Sequence, residues 1–180
     1  MDCDQDYYGA EVKTRGTYDG ANYIMLFHSQ PLRCYGQVKG WSFWATSRNG
    51  GFKAGVYRPG SGSNEYLLLG ETEIPAGHAL GSAVTHDIAN SEEWISFEPG
   101  DVIGWRWHST GTAIMRDDSG TEIIHMKYTS HNDDSYNSYG VGDTFTVGSD
   151  LNRVYSLQAI FSPKGMSTFV GISGNPNRLF

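Results

Sequence analysis

The chain has 180 residues, of which 38% are apolar and 18% charged, and its formal net charge is −7. That length suits one domain with a sizeable core. An acidic chain without basic runs is excluded as a phosphate-backbone binder, so nucleic acid is not an expected partner, and no apolar run approaches the ~20 residues of a membrane-spanning helix.

The N-terminus, Met1-Asp2-Cys3-Asp4-Gln5-Asp6, is polar and lacks the apolar core of a signal peptide. The chain is therefore either cytosolic or one from which a signal peptide is missing. Cys3 and Cys34 are the two cysteines. Cys3 sits among three aspartates, poor surroundings for a buried thiol. A Cys3–Cys34 disulfide would close a loop of about 30 residues, contribute ~3 kcal/mol and pin residues 1–35. It predicts an oxidising, extracellular setting, against the alternative of two free thiols in a cytosolic protein. There is no Asn-x-Ser/Thr sequon to support that setting.

In chain order, residues 1–20 read as irregular. A first strand is expected over 22–28, with Ile24 and Leu26 directed inward. Residues 36–46 follow, with Val38, Trp41, Phe43 and Ala45 as the inward set and a bulge near Gly40, where the alternation slips. Asn49-Gly50-Gly51 reads as a hairpin turn into 52–58. Further strands are expected over 65–70, 71–74 and 81–88.

Residues 92–108, EEWISFEPGDVIGWRWH, are the most regular stretch. Ile95 and Phe97 alternate with Trp94, Ser96 and Glu98. After a Pro99-Gly100-Asp101 turn, Ile103, Trp105 and Trp107 alternate with Val102, Gly104, Arg106 and His108. Period two marks strands with one buried side. Strands over 112–116, 122–128, 144–147 and 153–161 complete the series, and 164–180 reads as a loosely held tail. About ten short strands between Gly, Pro, Asn and Asp turns predict an all-β fold. Its expected form is one antiparallel two-sheet β-sandwich over 1–180, jelly-roll-like.

Catalytic signatures are missing. The six histidines are scattered, and there is no nucleophile elbow, HExxH or CxxC. His86 and Asp87 are adjacent, so on a strand they point to opposite faces. The chain is expected not to be an enzyme.

The stretch 131–143, HNDDSYNSYGVGD, is about the longest loop, and long loops are commonly functional or disordered. Asp133, Asp134 and Asp143 offer a calcium ion the oxygen ligands it takes. The same residues equally serve the turns that Asp, Asn, Gly and Ser build, and the spacing is not that of an EF-hand. A sugar needs an aromatic face for its C–H side and planar polar groups for its hydroxyls. Asn132, Asp133, Asp134, Tyr136, Asn137 and Tyr139 supply both in this loop, with Arg106 and His108 on the neighbouring strand. Tyr57, Arg58, Trp94 and Tyr128 are further candidates. Tyr beside Ser, Asn and Gly is the mixture of adaptable binding loops. Trp41, Trp105 and Trp107 are expected in the core, and Trp44 and Trp94 at its boundary.

The run ISFEPGDVIGW, with WSFWA and FKAGVYRP upstream, resembles extracellular β-sandwich modules of invertebrate proteins, with the look of jelly-roll sugar-binding domains. The likeness covers about residues 34–162 and rests on structural motifs. It implies a secreted or cell-surface lectin-like role, binding a glycan or glycoprotein in recognition or adhesion. The competing expectation is a structural module that binds protein by self-association into a homo-oligomer, anchored by Trp44 or Trp94. A third is the accessory domain of a hydrolase.

Overall fold

The structure is a computed structural model and describes residues 6–18, 23–45, 51–107, 114–118, 124–130 and 139–163. Apart from one 3-10 turn at Ser91–Glu93, its regular elements are strands, and every pairing is antiparallel. The fold is an all-β sandwich of two sheets.

The smaller sheet runs β1 (Tyr7–Gly9), β14 (Leu157–Pro163), β4 (Gly36–Trp44). Two strands share the far edge of β4. There β8 (Ile95–Phe97) pairs with residues 36–38 and β7 (Ala83–Asp87) with residues 40–44. Among the described residues the larger sheet has nine strands. Its central run is β6 (Glu65–Ile74), β5 (Phe52–Pro59), β9 (Val102–Trp107) and β3 (Tyr23–Leu26). Beyond β6 lies β12 (Thr144–Thr146). Beyond β3 lie β11 (Ile124–Ser130), β13 (Ser149–Tyr155), β10 (Met115–Asp117) and β2 (Thr17–Tyr18).

The alternation of the strands builds the core between the sheets. Val38, Trp41 and Phe43 of β4 and Leu157, Ala159 and Phe161 of β14 face Phe52, Ala54 and Val56 of β5 and Ile103, Trp105 and Trp107 of β9. All twelve are fully buried. Phe43 meets Phe52 edge to face at 4.9 Å, so ring packing joins the sheets. The bulge expected near Gly40 is present, since the register between β4 and β14 skips Lys39.

Several expectations need correction. The Asn49-Gly50-Gly51 segment does not close a hairpin: β4 and β5 belong to opposite sheets and meet through side chains. Residues 46–50 themselves lie outside the described residues. The expected Pro99-Gly100-Asp101 turn is present, and it carries the chain from β8 in one sheet to β9 in the other. Asp101 N–H donates to Glu98 O at 3.1 Å and Gly100 has φ +101°, a turn that favours glycine at its third position. The expected strand 153–161 is two strands broken at Ser156. The irregular N-terminal stretch contains β1 and β2.

The Cys3–Cys34 disulfide is not supported. Cys34 is a buried free thiol, and Cys3 lies outside the described residues. The N-terminal segment is instead held by β1 and by Arg15, which is 6% exposed. Its guanidinium donates to Ser156 Oγ at 2.8 Å, Asp117 Oδ2 at 3.3 Å and Glu11 O at 3.0 Å. The expected tail, 164–180, lies outside the described residues.

Candidate functional site

The strand β9 was expected to have one exposed side, yet all six of its residues are buried. The reason is a second apolar layer on the outer face of the large sheet. Ile24, Leu26, Val102, Tyr57, Tyr66 and Leu68 cluster there with Phe145 of the adjoining strand β12 and with Val147, and Tyr139 packs against them. Tyr57 and Phe145 meet edge to face at 5.4 Å. The chain from Tyr139 to Val147 therefore packs on and beside this face, and its near end is the end of the Asp-rich loop.

Charge is buried beneath it. Arg106 is 1% exposed. Its Nε donates to Glu71 Oε2 at 3.0 Å and its Nη2 to Glu71 Oε1 at 2.7 Å, the bidentate geometry of strong guanidinium–carboxylate pairs. Lys53 Nζ also approaches Glu71 Oε1, at 3.4 Å. Nη2 of Arg106 further donates to Tyr139 O at 2.8 Å, clipping the loop onto the sheet. Arg106 thus shapes the site from below and does not reach its surface.

A bulge at Leu69 turns β6 here. Val56 pairs with Gly70 and Tyr57 with Leu68, so Leu69 is the extra residue and packs toward the inner core. Gly70 has no room for a side chain, because a Cβ would lie 2.7 Å from Ile95 Cγ2. That close approach brings β8 against β6 and sets Trp94 at the junction of the two sheets.

The junction opens as a cleft of about 490 Å³ lined by Arg58, Leu69, Gly70, Glu71, Glu92, Glu93, Trp94, Ile95, Ser96 and Val141. Trp94 is half-buried, and its indole N–H donates to Ile88 O at 3.0 Å, which fixes the ring. Glu92 and Glu93 are presented by the 3-10 turn, whose Asn90 side chain accepts from Glu92 N–H at 3.0 Å. Arg58 forks onto Asp101 at 2.8 and 3.0 Å and reaches Glu98 at 2.9 Å. The hydrogen bond from Arg58 to Asp101 raises the guanidinium pKa further. Asp101 itself is 1% exposed, so this pair anchors the cleft's rim to the Pro-Gly-Asp corner.

Val141 stands 65% exposed on the opposite rim. Its turn is tied to β6 by Gly142 N–H to Leu68 O at 2.9 Å and Leu68 N–H to Asp143 O at 3.0 Å. Asp143 Oδ2 accepts from Gly140 N–H at 2.7 Å, so this carboxylate performs turn duty. Tyr57, below the loop, has its phenol pKa pushed up by burial and by Glu71, with Arg106 opposing.

Of the candidate residues, Arg58 and Trp94 line the cleft, Arg106 supports it from below through Glu71, and Tyr139 and Asp143 belong to the adjoining segment that carries Val141. Residues 108 and 131–138, which hold His108, Asn132, Asp133, Asp134, Tyr136 and Asn137, lie outside the described residues. Among the described residues, no three His, Cys, Asp or Glu side chains are placed to hold a metal ion. The sequence reading missed Glu71, Glu92 and Glu93. Their only signal was a carboxylate beside the aromatic alternation at 92–94. Trp44 lines a separate cleft of about 440 Å³ with Thr14, Tyr18, Ala45, Leu80, Gly81 and Met115.

Comparison with models of protein families finds no match, and comparisons with curated proteins and with solved structures find none.

Proposed function

We propose that this protein is a non-catalytic, extracellular carbohydrate-binding module whose cleft at the sheet junction receives the sugar. The observation that carries the reading is Trp94, a fixed and half-buried ring in a cleft whose walls also present carboxylates, a hydroxyl and a guanidinium beside apolar Leu69, Ile95 and Val141. An aromatic face takes the C–H side of a pyranose, while Glu92, Glu93, Ser96 and Arg58 offer acceptors and donors to its hydroxyls. The turn 140–143 borders the cleft through Val141. Calcium, where it takes part, would take its carboxylates from Asp133 and Asp134, which lie outside the described residues.

A glycan array, run with calcium and again with a chelator, tests this reading. Selective binding is expected, and Trp94→Ala is expected to weaken it about tenfold, near 1.4 kcal/mol. Binding lost on chelation assigns the aspartates to calcium. Binding that survives chelation leaves them to the turns. A blank array on folded protein, or full affinity in Trp94→Ala, overturns the site.

A further inference from the structure

The cleft beside Trp94 does not end at Glu93. A second groove of about 410 Å³ adjoins it, lined chiefly by Glu71, Thr72, Glu73, His86, Asp87 and Glu93, and the two share Glu71 and Glu93. The combined groove runs along β6 of the large sheet, faced by the 3-10 turn and β8 at the Trp94 end and by β7 of the small sheet at the other. Both β6 and β7 are open along this flank among the described residues. The partner β12 pairs with β6 only at residues 65–67, and β7 pairs with β4 alone. An open strand edge presents a row of unpaired N–H and C=O groups. At the floor, Gly70 seats Ile95 and Trp41 Nε1 donates to Thr72 Oγ1 at 3.1 Å, which joins the sheets beneath the groove. A long channel between two open edges fits an extended chain better than a single ring.

Its charge is one-sided. Glu71 is neutralised from below by Arg106 and Lys53, and Arg58 is taken by Asp101 and Glu98. Glu73, Asp87, Glu92 and Glu93 are all exposed, and none forms an ion pair with a described residue. Like charges collected in a groove with low-dielectric walls concentrate counter-ions there. The Trp94 ring adds a face that attracts cations. A neutral glycan would leave these carboxylates uncompensated, and a sulfated or uronic chain would be repelled.

Resting on the carbohydrate reading above, we infer that the groove binds an extended chain of amino sugars with free, protonated amines, a glucosamine-type polycation. The ammonium groups meet Glu73, Asp87, Glu92 and Glu93 while one ring lies on Trp94. Acetylation removes the charge that this lining recognises.

Calorimetry with a β-linked glucosamine tetramer and the N-acetylated tetramer of the same linkage, at about pH 6, tests the inference. The amine form is expected to bind at least about tenfold more tightly and to weaken as salt rises from about 0.05 to 0.5 M. The double variant Glu73→Gln/Glu93→Gln, both sites exposed, is expected to lose that preference with an unchanged circular dichroism spectrum. Equal affinity for the two tetramers, or preference for the acetylated one, overturns the inference and leaves the carbohydrate reading in place. A lysine tetrapeptide that binds as tightly as the amine tetramer overturns it in favour of a basic peptide. No binding to either tetramer, with another glycan bound on the array, overturns it alone, whereas a blank array removes both readings.

Discussion

Arg106 illustrates how one side chain can mislead on its own strand and still organise a site. In an alternating segment between Trp105 and Trp107, its position looks solvent-facing, and a charged residue there invites a ligand-binding role. Its burial depends on Glu71, 35 residues away, and on a loop end whose path no local pattern encodes. Removing Glu71 would leave a guanidinium without its main counter-charge. Glu71→Ala is therefore expected to destabilise the fold by about 3 kcal/mol in urea unfolding, part of it offset by hydration because Glu71 is not wholly enclosed. Tyr57 carries the opposite expectation. Its hydroxyl is buried with no hydrogen-bond partner among the described residues, so Tyr57→Phe is expected to be neutral or stabilising by up to about 1 kcal/mol. Burial also raises its phenol pKa above the ordinary 10.0. The folded protein then holds the proton more tightly than the unfolded chain. Stability from this source is complete below about pH 10 and is lost as pH rises above it. Urea midpoints at about pH 8 and pH 11 should fall less between the two values in Tyr57→Phe than in the parent.

At the scale of elements, strand existence and inward faces were legible wherever period two ran for several residues. Residues 36–44, 52–59 and 102–107 carry their buried aromatic and β-branched positions openly. Sheet membership was not legible, because a turn sequence does not say whether it returns the chain to its own sheet or across the core. The alternation Tyr155, Leu157, Ala159 and Phe161 passes unbroken through a change of sheet at Ser156. There Ser156 N–H donates to Met115 O at 2.9 Å, and Arg15 holds the hydroxyl. Close backbone approaches were equally hidden. Gly104 lies where a Cβ would be 2.4 Å from Met25 O and 2.5 Å from Leu26 Cδ2. Gly104→Ala must push β9 from β3, at an expected cost of about 3 kcal/mol or failure to fold, read by urea unfolding or soluble yield. The candidate cleft was partly legible through Trp94 and Arg58. Its acidic wall was not, since Glu71 and Glu93 meet only when β8 packs on β6.

For the molecule as a whole, the interior is held by side-chain packing across two sheets rather than by a cross-link at Cys34. The Cys34 thiol is expected to resist alkylation in the folded protein and to label fully in denaturant, as followed by mass spectrometry. Rapid labelling under native conditions would show that the segment around residue 34 opens. The order of strands has a consequence for how the protein is made. The small sheet places β14 between β1 and β4, so its first and second strands by position are drawn from opposite ends of the described chain. Until residues 157–163 have left the ribosome, β1 has no partner and the inner face of β4 has no flanking strand on that side. Synthesis at about 5–20 residues per second spreads emergence over roughly 10 to 30 seconds. Throughout that interval Trp41, Trp105 and Trp107 are in a chain that cannot close its core. Folding is therefore a late event, set by the arrival of β14, and the nascent chain depends on whatever shields its aromatic strands until then.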